Sequence, residues 1–290
     1  MKHAFLILAH TEFALLQRLV NCLDDGRNDI FIHFDKKVPD LPDIRAQKAG
    51  LTILDRRVDV RWGAPSMMEA ELVLFGSAVA KGPYQYYHLL SGVDLPIKGQ
   101  DYIHDFFDRN DGKEFIGYTW TQMPPDFVRK LQRWHLFAED FKNRNVFVRA
   151  LRAGFIRLQE LLGIRRNRDV DFKKGSQWVS VTEGMARYFV DHRDWLRKTF
   201  RGTFCCDELL MQTLCWASPF RGNIYNTEAD GTGCMRLIGW RRVPGQRELV
   251  LQDWSAEDWA QIQASPALFA RKFNSRDPEF LDRISELARS

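Results

Sequence analysis

Short apolar runs that alternate with amphipathic segments constrain the fold of this chain more than any other feature. Residues 5–9 and 30–35 form apolar runs of strand length, and Phe13–Leu23 between them carries apolar residues at helical spacing. The alternation continues with strands predicted at 51–54, 86–91 and 114–118 and a helix at 67–80. Strands separated by helices imply an α/β fold with a mostly parallel, twisted sheet flanked by helices.

Length and patterning favour one domain. The 290 residues, of which 45% are hydrophobic and 28% charged, are typical of a soluble globular protein. Because neither an internal repeat nor a low-complexity linker divides the chain, we expect a single domain over residues 1–290. A basic helical insert is predicted at about 124–172. Ligands of parallel sheets bind beyond the carboxyl ends of the strands, which directs attention to His10, Asp35 and residues 62–63 and 91–96.

The apolar runs and the cysteines bear on location. No run reaches the ~18–20 residues that a membrane-spanning helix needs, and the apolar start is too short for a signal peptide. The five cysteines are odd in number and irregularly spaced, which favours reduced thiols. We therefore expect a cytoplasmic protein.

Positive charge is concentrated in the middle of the chain. The whole sequence has 42 Lys and Arg against 38 Asp and Glu, whereas residues 129–174 hold thirteen against five, a local net charge of +8. This predicts a local anion-facing surface. Within the segment, apolar residues follow helical spacing with arginines between them: Phe147, Leu151, Phe155, Leu158 and Leu162. Two interpretations remain open, an amphipathic helix packed on the core or a basic helix lying on an anionic membrane.

The motifs that are missing exclude several large classes of protein. The P-loop, the G-x-G-x-x-G fingerprint, H-E-x-x-H and G-x-S-x-G do not occur, which argues against the commonest NTPases, dehydrogenases, zinc proteases and α/β-hydrolases. No nucleic-acid-binding motif occurs either, so no nucleic-acid partner is expected. One Asp-x-Asp, at residues 169–171, lies among basic residues and is interpreted as a solvated charge cluster. Asp94 alone would hold Mg²⁺ poorly, so no metal site is predicted.

Three charged residues stand in apolar surroundings and are candidates for chemistry. Arg236 and Lys272 each interrupt an apolar run, where a cation would form a structural ion pair, extend to the surface or bind an anionic ligand. Glu208 follows Asp207 and opens an apolar helix predicted at 207–217. It would be either a first-turn acid behind an Asp207 N-cap or a general base whose pKa is raised by apolar neighbours.

These pieces occur in a recognisable order. The matching segments are residues 4–10, 32–37, 87–97 (YHLLSGVDLPI), 174–181 (KGSQWVSV), 206–214 (CDELLMQTL), 235–238 (MRLI) and 268–273 (LFARKF). In this order the chain resembles the core-2/I-branching β-1,6-N-acetylglucosaminyltransferase family, which includes the peptide O-xylosyltransferases. The resemblance covers roughly residues 3–275 and is to a compact, bacterial-type member.

The resemblance implies a GT-A-like fold without metal dependence, and it implies roles for individual residues. Glu208 would be the catalytic base, and Arg236 and Lys272 would neutralise the diphosphate of a UDP-sugar. The other implied donor-binding residues are His10, Asp35 and Asp94. The implied acceptor-binding residues are Arg129, Lys130, Arg133 and Trp178.

The implied activity is an inverting, metal-independent transfer of a sugar, with GlcNAc as the first candidate, from a UDP-sugar to a saccharide hydroxyl, in a β-1,6 branching reaction. No cofactor is expected. The alternatives are a xylosyltransferase that uses UDP-xylose and a non-catalytic carbohydrate- or membrane-binding module. The expected partners are the UDP-sugar and a saccharide or glycolipid acceptor. Without an N-terminal anchor, the protein would work in the cytoplasm, with peripheral contact to the inner membrane.

Overall fold

The computed structural model describes residues 1–140, 143, 145–243, 245 and 249–289. Lys142 and Arg144, two cations of the basic segment, lie outside the described residues. The predicted insert at 124–172 is therefore described apart from residues 141, 142 and 144.

The described part of the chain forms ten strands and eleven α-helices. The strands are β1 (His3–Ala9), β2 (Asn28–Phe34), β3 (Gly50–Ile53), β4 (Tyr86–Ser91), β5 (Leu95–Pro96), β6 (Ser180–Thr182), β7 (Arg236–Ile238), β8 (Trp240–Arg242), β9 (Leu249–Leu251) and β10 (Phe269–Arg271). The helices are α1 (Phe13–Leu23), α2 (Pro65–Lys81), α3 (Gln100–Arg109), α4 (Pro125–Leu131), α5 (Val146–Leu161), α6 (Glu183–Asp191), α7 (Arg193–Phe200), α8 (Leu210–Trp216), α9 (Asp230–Cys234), α10 (Trp259–Ala264) and α11 (Pro278–Leu287).

The central sheet has the strand order β3-β2-β1-β4-β6. Its first four strands are parallel to one another, and β6 joins β4 in antiparallel orientation. The predicted α/β fold with a mostly parallel sheet flanked by helices is confirmed. Because the four strands are parallel, their carboxyl ends lie at one edge of the sheet.

Two hydrophobic clusters cover the two faces of this sheet. Alternate residues of β1 belong to different clusters, Leu6 to the one that includes α2 and α6 and Ile7 to the one that includes α1 and α3. Successive side chains of a strand point to opposite faces, which is why all of β1 is buried and, after His3, apolar.

A small second sheet, in the order β5-β10-β7, brings the C-terminal part of the chain to the edge where β4 ends. Strand β10 pairs antiparallel with β5, which follows the loop after β4, and parallel with β7. The cationic segments around Arg236 and Lys272 are thereby placed beside the loop that contains Asp94.

One predicted strand is wrong. Residues 114–118 form only isolated bridges among the described residues, with Glu114 beside Ile224 and Phe115 beside Ser180. Consecutive residues therefore pair with different neighbours, and Gly117 then lies against Asp230. No continuous ladder can form under these conditions.

Of the two interpretations of the helix in the basic segment, the one in which its apolar side packs on the core is wrong. α5 is present, but its apolar residues Phe147 and Leu161 are 81% and 85% exposed. Its inner face is held instead by polar side chains, Arg152 and the buried Gln159. None of the described helices combines the length and the apolarity that crossing a bilayer requires.

Candidate active site

His10 and Asp35 lie side by side where β1 and β2 end. Ala9 is in register with Phe34, and the backbone N–H of Asp35 donates to the carbonyl of Ala9 over 2.9 Å. His10 is exposed, whereas Asp35 is buried and its carboxylate accepts from Lys37 Nζ over 2.7 Å. The structure thus places these two predicted donor-binding residues at one edge of the sheet.

Asp94 is almost fully buried in the loop after β4. Its carboxylate accepts hydrogen bonds from the hydroxyl and the backbone N–H of Ser91, over 2.6 and 2.9 Å. It also forms an ion pair with Arg271, whose Nη1 lies 3.0 Å away. Because only 1% of its surface is exposed, Asp94 is not accessible to a ligand and instead positions Arg271.

Arg271 is a site residue that the sequence analysis missed. Its guanidinium lies 4.1 Å from the ring centroid of Trp178, a predicted acceptor-binding residue that is itself buried. Burial lowers the pKa of Arg271, and the charge of Asp94 acts in the opposite direction. Nothing in the local sequence distinguishes Arg271 from Lys272, because its partners Asp94 and Trp178 lie far away along the chain.

Arg236 forms part of the floor of the site. Its guanidinium donates to the carbonyls of Cys234 and Val179, over 2.7 and 3.0 Å, and to the hydroxyl of Ser180 over 3.0 Å. The guanidinium also lies 4.5 Å from the ring centroid of Phe269. Burial lowers the pKa of Arg236 to about 10. Only 3% of its surface is exposed, so this cation is covered and already hydrogen-bonded.

Lys272 is the accessible member of the predicted pair of donor-binding cations. Its side chain is 39% exposed and lies 3.4 Å from Asp253 Oδ1. The next residue, Phe273, donates its backbone N–H to the carbonyl of Val93 over 2.9 Å. Lys272 therefore lies beside the loop after β4, whereas Arg236 is opposite Phe269, the first residue of β10.

Glu208 lies in a 3₁₀ turn, Cys206–Glu208, immediately before α8. Its side chain is 38% exposed and forms an ion pair with Lys174 Nζ. Lys174 also lies 5.6 Å from the ring centroid of Trp120. The loop at 62–63 is close, because Gly63 accepts the backbone N–H of Cys205 over 2.9 Å. Glu208 is thus a carboxylate that has a counter-ion and remains open to solvent.

Asp207 does not cap a helix, so that prediction is wrong. The residue is inside the 3₁₀ turn, α8 begins later at Leu210, and Asp207 Oδ1 is buried without a hydrogen-bond partner. Burial raises the pKa of Asp207 to about 7, and the charge of Glu208 adds to this shift. The left-handed conformation of Cys205, with φ of 49°, turns the chain into the 3₁₀ segment and displaces the expected helix start.

A second acid, Glu71 of α2, lies behind this turn. Gln177 Nε2 donates to Glu71 Oε1 over 2.7 Å. Burial raises the pKa of Glu71 well above its usual range, and the nearby charge of Asp207 adds to the effect. Glu208 therefore has two acids behind it, the buried Glu71 and the half-buried Asp207, whose protonated forms are favoured. No pattern in the sequence pointed to Glu71, because it lies in an otherwise ordinary helix.

Residues 174–180, here called the site segment, connect the two ends of the site. Lys174 contacts Glu208 at one end, and residues 179–180 contact Arg236 at the other. Trp178 under Arg271 lies between them. The segment passes so close to its neighbours that a Cβ on Gly175 would lie 1.8 Å from the carbonyl oxygen of Gly117. Glycine is therefore required there.

The predicted acceptor-binding residues are not brought together. Arg129 and Lys130 are exposed on α4, and Arg129 lies 3.6 Å from Glu160 of α5. Arg133 is 4% exposed and donates to the carbonyl of Gln132 over 3.3 Å. Trp178 lies apart from these three, on the site segment.

The described residues contain no group of three or more His, Cys, Asp or Glu side chains placed to hold a metal ion. Asp171, from the Asp-x-Asp at 169–171, forms an ion pair with Lys173. The surroundings of that motif are therefore those of a paired surface charge.

The comparison with known families gives one match. The family model described as Core-2/I-Branching enzyme matches residues 3–270, nearly the whole chain. No curated protein matches the chain significantly. The matched region includes Glu208, the site segment and Arg236, and it ends within β10, ahead of Lys272.

Proposed function

Because the chain belongs to the Core-2/I-branching enzyme family and is therefore a glycosyltransferase, we propose that it transfers a sugar from a UDP-sugar to a saccharide hydroxyl, with inversion and without a metal ion. The observation that carries this proposal is the site segment. It has a carboxylate with its counter-ion, Glu208 and Lys174, at one end. At the other end are Arg236 and, beside Trp178, Arg271.

Glu208 is the proposed general base. It takes the proton of the acceptor hydroxyl while that oxygen attacks the anomeric carbon and the bond to the diphosphate breaks. The carboxylate of Glu208 forms an ion pair with Lys174, and its 38% exposure leaves it reachable by an acceptor. General base assistance typically contributes ~10²–10⁴-fold to a rate.

The leaving UDP is stabilised by cations in the proposed mechanism. Lys272 is accessible and contacts the diphosphate directly. Arg271 lies next to it, and Arg236 contributes its positive charge from the floor. Fixed cations in a site with little water stabilise developing negative charge more strongly than they would in solvent. His10 and Asp35, together at the edge of the sheet, bind the nucleoside, while Asp94 holds Arg271 in place.

GlcNAc is the first candidate donor sugar, with β-1,6 branching as the linkage, and UDP-xylose is the alternative. The acceptor is a saccharide or glycolipid that approaches along α4, past Arg129 and Lys130, towards Trp178. Arg133, which is 4% exposed, contributes its charge rather than a direct contact. We place the enzyme in the cytoplasm, in peripheral contact with the inner membrane. The five cysteines are free thiols, which supports a reducing compartment.

The test is a screen for UDP release from a panel of UDP-sugars, each with a saccharide acceptor, with and without EDTA. We expect UDP-GlcNAc to release UDP at the same rate in both conditions. Release from UDP-xylose alone would identify the alternative donor. A rate that falls with EDTA would contradict metal independence, and a protein that neither binds UDP nor releases it would be a non-catalytic binding module.

A further inference from the structure

Helix α5 has its apolar side facing outward. Five residues, here called the apolar stripe, follow the spacing of one helical face. They are Phe147, Leu151, Leu158, Leu161 and Leu162, with exposed fractions of 81%, 54%, 50%, 85% and 63%. Monomeric soluble proteins rarely expose a continuous apolar surface of this kind without a binding function.

Polar contacts on the opposite side fix this orientation. Gln159, which is 2% exposed, accepts the backbone N–H of Trp134 and donates to its carbonyl, both over 2.9 Å. Arg152 donates to the carbonyls of Leu136, Phe137 and Asp140 over 2.7 to 3.1 Å. Rotating the helix to bury the stripe would break these bonds and expose the backbone groups that they satisfy. The outward stripe is therefore built into the structure.

Cations accompany the stripe. Arg149 and Arg157 on the helix, and Arg165 and Arg168 just after it, are exposed. None of these four forms an ion pair with another described residue. Arginine is the side chain best suited to phosphate groups, which it binds through two parallel hydrogen bonds. The surface therefore combines an apolar stripe with unpaired cations, which is the pattern of helices that lie in a membrane interface.

We propose that this face of α5 docks on a bilayer of anionic phospholipid. The apolar stripe enters the boundary between head groups and acyl chains, to a depth of about 5–10 Å, and the arginines contact lipid phosphates. Charge complementarity selects this occupant, because residues 129–174 carry +8 in a chain whose total is only +4. A protein partner that covered only the stripe would leave these cations uncompensated.

Helix α5 is connected to the site by a short series of contacts. On α4, Arg129 lies 3.6 Å from Glu160 of α5, and the ring of Phe127 is 5.4 Å from that of Trp120. Trp120 lies beside Lys174, the counter-ion of Glu208. Docking of α5 would therefore bring the acceptor side of the site close to the lipid surface. This placement favours a lipid-linked saccharide as the acceptor, and that part of the inference rests on the proposed function.

The experiment is co-sedimentation of the full chain with vesicles, without donor or acceptor. Vesicles of phosphatidylcholine and phosphatidylglycerol are compared with phosphatidylcholine alone, and we expect binding to the former only. The double variant Phe147→Ser/Leu161→Ser should lose at least about tenfold in affinity for the anionic vesicles, because two large apolar side chains no longer enter the interface. Trp240→Ser/Leu249→Ser, at two exposed apolar residues of the β8–β9 hairpin, is the matched control and should bind like the wild type.

A charge variant tests the second half of the inference. Arg149→Gln/Arg157→Gln should weaken binding by about fivefold for each cation removed, whereas the exposed Arg276→Gln should change nothing. Wild-type binding that is absent, or equal on neutral and anionic vesicles, would overturn the inference. If the wild type does not bind vesicles but forms a dimer, and the apolar-stripe variant is monomeric, then a second copy of the chain covers this face. UDP release measured without lipid reports on the proposed function separately.

Discussion

The site segment and helix α5 carry charge in opposite ways. Around the site segment, the buried Arg236 has defined hydrogen-bond partners. On α5, Arg149 and Arg157 are exposed and form no ion pair with another described residue, beside an apolar stripe that is exposed too. Burying a charge is costly unless it is compensated, so a buried and partnered charge marks structure or chemistry. A cluster of exposed charges of one sign indicates instead a surface that contacts a partner of opposite charge.

The largest effect that separates the two regions is expected at Glu208. Glu208→Gln should lower kcat about 10²–10⁴-fold, because the amide cannot take the proton of the acceptor hydroxyl. UDP affinity should stay within about twofold, since the base does not touch the diphosphate in the proposed mechanism. Steady-state kinetics and a UDP titration measure the two quantities.

Glu160 of α5 is the matched control for this change. Its side chain is 37% exposed against 38% for Glu208, and it too lies beside a cation, Arg129. Glu160→Gln should keep nearly wild-type turnover. Wild-type turnover in Glu208→Gln would show that Glu208 is not the general base. Equal losses of turnover in both variants would show that a carboxylate of the site segment and one of α5 do not differ in function.

The next largest effect is expected on the free energy of unfolding, where Arg236 and Lys272 should differ. Arg236→Ala should lower the free energy of unfolding by about 3 kcal/mol, because it leaves buried acceptors at Val179 and Ser180 unsatisfied. Lys272→Ala removes a half-exposed side chain and should stay within about 0.5 kcal/mol. Urea denaturation measures both. Equal losses of stability would mean that Arg236 is not the floor of the site.

A smaller effect should appear in the pH dependence of stability. The pKa of Asp207 is raised from 3.8 to about 7 by burial and by the charge of Glu208. The folded chain therefore holds a proton that the unfolded chain has lost, so this contribution is fully present below about pH 4 and is lost as the pH rises through about 7.

Asp207→Asn removes this titration. It should flatten the decline of unfolding free energy between about pH 4 and pH 7, by on the order of 1 kcal/mol. Urea unfolding at several pH values measures the slope, and the exposed Asp171→Asn is the control. A slope that is the same in Asp207→Asn and in the wild type would show that this carboxyl is not held in its protonated form.

The smallest effect is expected on α5. Phe147→Ala should change the free energy of unfolding by less than about 0.5 kcal/mol, because the side chain is 81% exposed. Leu16→Ala in α1, at a fully buried position, should cost about 2–5 kcal/mol. Thermal or urea unfolding distinguishes the two. A large loss at Phe147 would mean that the apolar stripe packs against the protein itself.

Much of the fold could be predicted from the sequence where the pattern was strong. The bounds of α1 and β4 agree with the prediction because both are dense in apolar residues and are ended by polar ones. In α5 the same periodicity predicted the helix but not its orientation. Periodicity indicates which residues share a face, whereas Arg152 and Gln159 decide through distant carbonyls which face turns inward.

The site was predictable only in part, for a related reason. Glu208, Arg236 and Lys272 stood out as charges among apolar neighbours. Lys174 pairs with Glu208 across 34 positions of sequence, and Arg271 reaches Asp94 across 177. Such contacts depend on how the second sheet folds back onto the loop after β4, and no local pattern reports that.

The most direct test of the account is a calorimetric titration of UDP into four proteins in EDTA: the wild type, Lys272→Ala, Arg149→Gln/Arg157→Gln and Glu208→Gln. We predict measurable UDP binding in the wild type, a loss of about tenfold or more in Lys272→Ala, and near wild-type affinity in the other two. UDP affinity that falls in the α5 variant and is unchanged in Lys272→Ala would contradict the account, because the diphosphate would then bind the exposed charges rather than the site.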